Sequence, residues 1–409
     1  MKISIKNIQL ILSIFIILWL NAGIFSYVQN YIPNVFKLLI VIVWFILAFI
    51  DKRFLKIYLR IVFGIIIFIL AMLISKLFGN DAYYNYNFQS YIYILIIIAV
   101  AIYYIYDNQI KRKKIILYAI LIDYCYIGIN TFFQLQLNPS ISRILATSSE
   151  HASSIIGDIS IKGVGSYGYF YGLVILGILL AYQFLWSKRK VSLFLLLLGI
   201  FILLLNAQFT MALIFFILFI FIVFIFEDKS FNGKFIFKMI MIFLFIILLL
   251  NISTILNTLS NYVGEDLGQR LRELNDFLIG NKRTDGDIAT RVDIYLMSIE
   301  SFKNNIFFGS FGKKTFGGHS SILDMFASYG LIGVLVIYTF FKMYKLIVRN
   351  VNINQKNIVK IVFFYYIILS FLNPSHISTI VISLFITLPL FLSSYHQKFK
   401  NKNQLRFND

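Results

Sequence analysis

Only one of the 409 residues is a cysteine, Cys125, and it stands inside an apolar run. A lone thiol excludes an intrachain disulfide and any cysteine-based metal site. Proline is almost as scarce, at four, and no Pro-rich or Ser-rich stretch offers a linker, so residues 1–409 read as one domain. Charge is in short supply too: charged residues make up 13% of the chain against 60% hydrophobic, which excludes an ordinary soluble fold. No His and carboxylate spacing calls for a metal ion, and neither a metal nor a cofactor is expected.

What fills the chain instead is a recurring apolar run of about 18 to 22 residues, enough for a helix to cross the roughly 30 Å hydrocarbon core once. The fold class this predicts is all-α, a polytopic integral membrane protein. Twelve transmembrane helices are expected, near residues 8–28, 35–50, 61–78, 90–106, 115–134, 167–186, 191–205, 209–226, 239–256, 322–341, 361–372 and 377–394. The opening MKISIKNIQLILSIFIILWL has the look of a signal peptide, but no small-residue cleavage site follows, and it reads as an uncleaved first span.

The net charge of +19 would suit nucleic acid, yet the basic residues lie in short clusters between apolar runs. With both termini cytoplasmic, the inner segments hold 25 of the 37 Lys and Arg residues and five of the 18 acids, as the positive-inside rule requires. No nucleic-acid partner is expected; the partners are membrane lipids. Two long loops, 135–166 and 257–321, fall outside. The break at Asn206, Ala207 and Gln208 has to be a hairpin, since one long span over 191–226 would put the Lys-rich segment 342–360 on the outer side.

The segment Arg291 to Gly333, RVDIYLMSIESFKNNIFFGSFGKKTFGGHSSILDMFASYGLIG, is a charged, glycine-punctuated interruption of an oily chain. Ionisable groups in such a place usually have a task. Both outer loops end alike: Lys162 with Gly163, Gly165 and Gly168 before one span, and Lys313 and Lys314 with Gly317, Gly318 and His319 before another. Each then presents a helix N-terminus, with unpaired N–H groups and the positive end of the dipole, beside backbone that can approach a ligand closely. Two such ends suit a diphosphate; alternatively the glycines only shape turns and the cations snorkel to headgroups. The stretch TRVDIYLMSIESF predicts an amphipathic helix starting near Asp287 or Thr290, with Val292, Tyr295, Ile299 and Phe302 on one stripe, able to lie on the membrane surface. Arg291 in its first turn opposes the helix dipole, which points to a ligand.

The order of Arg291, a helix, FFGSFG and GGHSSILDMFASYGLIGVL resembles the bacterial O-antigen ligase and polysaccharide polymerase superfamily. Arg291, Gly309, Gly312, His319, Ser320, Gly330 and Gly333 fill its pattern, and KGVGSYGYFYGL resembles the basic, glycine-rich start of the earlier half of the site. The hairpin departs from it, reading NAQFTMAL where many relatives carry a serine and an arginine. The resemblance implies a polymerase of O-antigen or capsule type in the bacterial cytoplasmic membrane, acting on undecaprenyl-diphosphate-linked oligosaccharides, with a chain-length regulator and a flippase as further partners. It implies glycosyl transfer with the lipid diphosphate leaving, Arg291 holding the departing phosphates and His319 taking the acceptor proton. Lys162, Arg143, Arg270 and Lys313 are further phosphate contacts, and Ser320 and Asp324 complete the substrate-binding set, Asp324 to orient the imidazole or bind sugar hydroxyls.

Three other features invite a reading. His376, in LNPSHIS, either contributes to the site or sits in a Pro-containing turn. Asp123 is an intramembrane acid, functional by default unless it pairs with a neighbouring helix. The run YYNYNFQSYIY at 83–93 is an interfacial aromatic belt or a sugar-stacking surface. Two alternatives to the polymerase stay open: a ligase that transfers finished glycan, and a flippase for the same lipid-linked oligosaccharide.

Overall fold

The computed structural model describes residues 4–21, 23–28, 31–146, 162–227, 251–261, 265–279 and 287–394. Most of the expected span at 239–256, the middle of the first loop, Lys282, Arg283 and the basic C-terminal tail lie outside the described residues. Among the described residues every regular element is helical.

The N-terminal half comprises α1 (Ile5–Asn21), α2 (Asn34–Phe49), α3 (Lys52–Leu77), α4 (Ala82–Tyr106), α5 (Ile110–Leu137) and the short α6 (Ile141–Ile144). After the first loop come α7 (Tyr167–Trp186), α8 (Lys190–Asn206), α9 (Thr210–Glu227), α10 (Ile252–Ser260), α11 (Glu265–Leu278) and α12 (Asp287–Asn304). The last group is α13 (Ser321–Tyr329), α14 (Val334–Asn350), α15 (Lys356–Leu372) and α16 (Ser378–Ser394), the last with a π-turn over Ser383–Thr387. Six segments are long and apolar enough to cross a membrane: Lys52–Leu77, Asn87–Tyr106, Ile110–Leu137, Tyr167–Trp186, Ser321–Asn350 and Ile353–Leu372. Shorter apolar helices occupy Ile5–Asn21, Asn34–Phe49, Lys190–Asn206, Thr210–Phe226 and Ser378–Ser394.

Burial sorts these helices. Every residue of α7 from Gly168 to Tyr182 is buried, and so is α16 from Thr379 to Leu392, the pattern of a helix surrounded by protein. The two pack on each other through small residues: a Cβ on Gly172 would lie 3.1 Å from Ser383 Oγ, and one on Gly168 2.6 Å from Ile377 Cγ2. Outer helices do the opposite. Val35, Phe36, Leu39 and Ile46 of α2, and Phe194, Leu195 and Leu196 of α8, are exposed. Such apolar exteriors suit lipid, and the chain is a membrane protein on this ground.

Local chemistry sets several ends. Asp51 caps α3, its carboxylate accepting from the Arg53 and Phe54 N–H groups at 2.9 and 3.2 Å. At the α4–α5 turn the Arg112 fork grips Asp107 with two 2.7 Å bonds. The hairpin expected at 206–208 is present: α8 ends at Asn206, Gln208 adopts φ 57°, and α9 returns against α8.

Two expectations change, and for Asp123 the pairing alternative is the one seen. The run 322–341 is not one helix: a 3-10 turn over Gly330–Gly333 parts α13 from α14, with Gly330 at φ 55°. The FFGSFG segment fills that break, Leu331 N donating to Ile306 O at 2.9 Å and Ser310 N to Ala327 O at 2.8 Å. Asp123 closes the turn after α1, accepting from Asn21 Nδ2 at 2.5 Å and Ile24 N at 2.7 Å, so its burial is explained by local hydrogen bonds. Tyr83 and Tyr91 of the aromatic run are buried in the core and form neither a belt nor an open sugar platform.

Candidate active site

The site is built around α12, whose polar stripe docks onto the chain's C-terminal third. Arg291 Nη1 donates to Asn373 Oδ1 at 3.4 Å, and Tyr295 OH to Leu372 O at 2.7 Å. One turn on, Ser298 Oγ donates to Asp324 Oδ1 at 2.8 Å, and Ser301 Oγ to Ala327 O at 3.2 Å. Spacings of three and four residues put these groups on one face. Of the four apolar residues expected to form the stripe, Tyr295 and Phe302 join it, Phe302 against Phe326 at 5.4 Å between ring centres. The helix is therefore docked against α13 and α15 along this face.

The segment Asn373–Ile377, between α15 and α16, is the hub. Asn373 O accepts from Ser321 N at 3.4 Å, and Ser375 N donates to Ser321 Oγ at 2.7 Å, which ties the hub to the start of α13. Ser320, almost fully buried, is the N-cap of α13: its Oγ accepts from Leu323 N at 3.1 Å and donates to Ser370 O at 3.2 Å. At the other end of the hub, Ile377 lies against Gly168 of α7. The two glycine-flanked helix starts are thus joined through one short non-helical segment.

His319 is half-buried immediately before Ser320, in electrostatic range of Asp324. Asp324 is buried and receives Ser298 Oγ, the Ser320 N–H at 3.4 Å and the Gly318 N–H. A carboxylate with three donors around it fixes the GGHSS turn from both sides of the imidazole. Asp324 thereby braces the turn that carries His319.

The expected residues divide accordingly. Asn373 ties Arg291 to Ser321, two residues after His319, and Ser320 and Asp324 are hydrogen-bonded within the turn that carries the histidine. Lys162 belongs to the α7 side: its carbonyl accepts from Asn130 Nδ2 at 2.8 Å, and its ammonium lies over the Tyr31 ring at 5.8 Å. Gly163 at φ 75° and Gly165, whose N–H donates to Thr131 Oγ1 at 2.7 Å, hold that turn in place. Arg143 sits half-buried on α6, Arg270 half-buried on α11, and Lys313 is exposed in the turn before α13.

Sequence reasoning passed over Asn373 and Ser298, and at the tip of the hairpin it noted only the missing serine and arginine. Asn373 Nδ2, Gln208 Oε1 and Thr210 Oγ1 are buried with no hydrogen-bond partner among the described residues. Between the last two, Phe209 stacks on Phe170 at 4.6 Å and meets Tyr167 at 6.1 Å, and Tyr167 and Tyr171 both feel the Arg291 charge. The three unpartnered atoms are among thirteen such side-chain atoms in the described residues. The one available signal was the Asn-Pro pair at 373–374, non-helical chain between two apolar runs.

His376 is also buried, with Nδ1 3.2 Å from Tyr91 OH, which in turn is 3.2 Å from Tyr83 OH. Burial pushes its imidazole down to about 4. It is a neutral core residue near the hub, not a cation at a phosphate.

No family model and no curated protein matches this chain.

Proposed function

We propose that the chain is a membrane glycosyltransferase that polymerises lipid-linked oligosaccharide repeats of the O-antigen or capsule type. The observation that carries this reading is Arg291 on Asn373, the residue whose carbonyl also holds the start of α13 just after His319. A fixed guanidinium and an imidazole share one scaffold there, and unpartnered buried polar atoms lie on the hub and at the hairpin tip. In this reading twelve helices cross the cytoplasmic membrane with both termini inside, and the loops 135–166 and 257–321 face out.

The anomeric C–O bond to the isoprenoid diphosphate breaks as the hydroxyl of the next lipid-linked repeat bonds to the same carbon. The acceptor proton passes to His319, and the diphosphate leaves as an anion held by Arg291, with Lys162 as a second cation from the α7 side. Fixed positive charge helps most where the leaving group gains negative charge, so these residues act in the transition state.

Purified protein in lipid, supplied with undecaprenyl-diphosphate-linked repeats, is expected to produce a ladder of longer lipid-linked glycans. His319→Ala, expressed at the same level, removes the ladder. Translocation of the lipid without elongation, or transfer only to an acceptor that is not lipid-linked, overturns the polymerase reading in favour of a flippase or a ligase.

A further inference from the structure

The antiparallel helices α3 and α14 carry positive charge where a membrane span should carry none. Lys342 Nζ donates to Arg60 O at 2.7 Å and ties the two helices together, one turn before Gly64, where α3 has no room for a Cβ against Leu335 O. Neither helix contains an acid, and Asp51, the nearest in sequence, is turned onto the α3 N-terminus as its cap. Among the described residues no carboxylate pairs with Arg60, Lys342 or Lys345.

Depth makes these charges costly. The 26 residues of α3 extend about 39 Å, roughly 9 Å more than the hydrocarbon core. Arg60 follows the first residue of α3, Lys52, by about 12 Å along the axis, so its backbone lies within the core even if all the surplus projects from this end. Lys342, bonded to the Arg60 carbonyl, lies at the same level. Helix side chains lean toward the N-terminus, which for α14 is toward the middle of the span. The Lys342 ammonium accordingly sits 4.2 Å from the centre of the Tyr338 ring, and that of Lys345 4.4 Å from the centre of the Phe341 ring. Neither reaches back toward water as a snorkelling lysine does. A ring face offsets only part of the cost of an ammonium at this depth.

We infer that the seam between α3 and α14 binds an anionic phospholipid, its phosphate drawn to Arg60, Lys342 and Lys345 and its acyl chains laid along the same two helices. Charge complementarity selects an anion, since three cations face no acid. The surroundings select a lipid. Leu59 and Phe63 flank Arg60, Tyr338 and Phe341 lie one turn from the two lysines, and all four are exposed. A ligand held here meets charge and hydrocarbon side by side. An acidic peptide or free phosphate would have to leave water to reach a level about 12 Å inside the helix ends, whereas a phospholipid is already anchored there. Basic pockets between spans hold anionic headgroups on the same terms. Neither Arg291 nor His319 takes part.

The test uses the full-length protein in a zwitterionic detergent, titrated with dioleoyl phosphatidylglycerol or with dioleoyl phosphatidylcholine, and bound lipid counted by native mass spectrometry. Lys345→Gln removes one ammonium and leaves the bond between Lys342 and Arg60 intact; Lys342→Gln with Lys345→Gln removes both. Lys188→Gln with Arg189→Gln removes two exposed cations from the α7–α8 turn instead. The wild type is expected to bind phosphatidylglycerol at least about tenfold more tightly than phosphatidylcholine. Its phosphatidylglycerol affinity should fall about fivefold for each seam cation removed and stay unchanged in the turn variant. Phosphatidylcholine affinity, which also reports a folded surface, should be the same in all four proteins. Equal affinity of the wild type for the two lipids, or a loss in the seam variants no greater than in the turn variant, overturns the assignment. So does loss of phosphatidylcholine in step with phosphatidylglycerol, since the seam then does not read headgroup charge. Displacement of phosphatidylglycerol by inorganic phosphate or by a poly-glutamate peptide would give the site to a soluble anion and overturn it as well.

Discussion

Arg291 Nη1 lies 3.4 Å from Asn373 Oδ1 although the two residues are 82 positions apart. The bond fixes the guanidinium at the hub through one of its five donors. Arg291→Lys keeps the charge and loses the fork. On the proposed reading it lowers turnover about a hundredfold, and Asn373→Ala, which only frees the guanidinium, about tenfold. Glycan ladders timed at saturating substrate measure both; a fully active Arg291→Lys enzyme removes the fork from the mechanism.

Asp324→Asn leaves one acceptor oxygen where Ser298, Ser320 and Gly318 all donate. The turn carrying His319 then loosens. The variant should be destabilised by about 1–3 kcal/mol and lose most of its elongation rate, while Ser298→Ala, which removes one donor, loses far less. Equal losses in the two variants would argue against a positioning role for the carboxylate.

Gly330→Ala places a Cβ 2.4 Å from Ile306 O on backbone at φ 55°. The conformation alone costs an L-residue about 1–3 kcal/mol, and the collision adds to it. Gly199→Ala, in α8 with open space around the new methyl, should be neutral or slightly stabilising. Thermal unfolding in the same detergent distinguishes them, and matching melting temperatures would mean that the α13–α14 break relaxes freely.

Burial pushes the Asp107 carboxyl up, but the Arg112 fork and the Gln109 N–H outweigh it and hold it below its ordinary value. A depressed folded value means that the pair contributes stability above the unfolded carboxylate range, near 3.9, and loses it as pH falls through the folded value. Asp107→Asn leaves Arg112 with Gln109 and a neutral amide and should cost about 1 kcal/mol at pH 7. The gap between wild type and variant should narrow below about pH 4; a constant gap across that range would show that the charge is irrelevant.

His376 has the opposite chemistry. Its folded value, about 4, lies below the ordinary 6.5, so between them the unfolded chain binds a proton that the folded one refuses. Stability from the neutral imidazole is complete above about pH 6.5 and drains away as pH falls toward 4. Melting temperatures of wild type and His376→Gln, followed from pH 7 to pH 4, should diverge in slope, the wild type falling faster. Parallel curves would place the acid sensitivity elsewhere.

Much of the architecture was legible because lipid imposes a simple rule. Long apolar runs become helices, since no other open-ended element satisfies its backbone in hydrocarbon. The α8–α9 hairpin was legible from charge alone. The break at Gly330 was not, because it exists only where Leu331 and Ser310 exchange hydrogen bonds with chain 17 to 25 residues away. The docking stripe of α12 was half legible: Tyr295 and Phe302 were visible as apolar positions, whereas Ser298 acquires meaning only with Asp324 opposite.

By itself, then, the sequence determined that this chain is helical and membrane-bound, and it singled out Arg291 and His319 as polar anomalies in an apolar protein. Only the tertiary structure decided that Asn373 ties Arg291 to the start of α13, two residues after His319, and that Asp324 braces the histidine turn. The physical reason is that helix formation is local and follows from the solvent. A site assembled from Arg291, His319 and Asn373 depends on packing between segments that no sequence period connects.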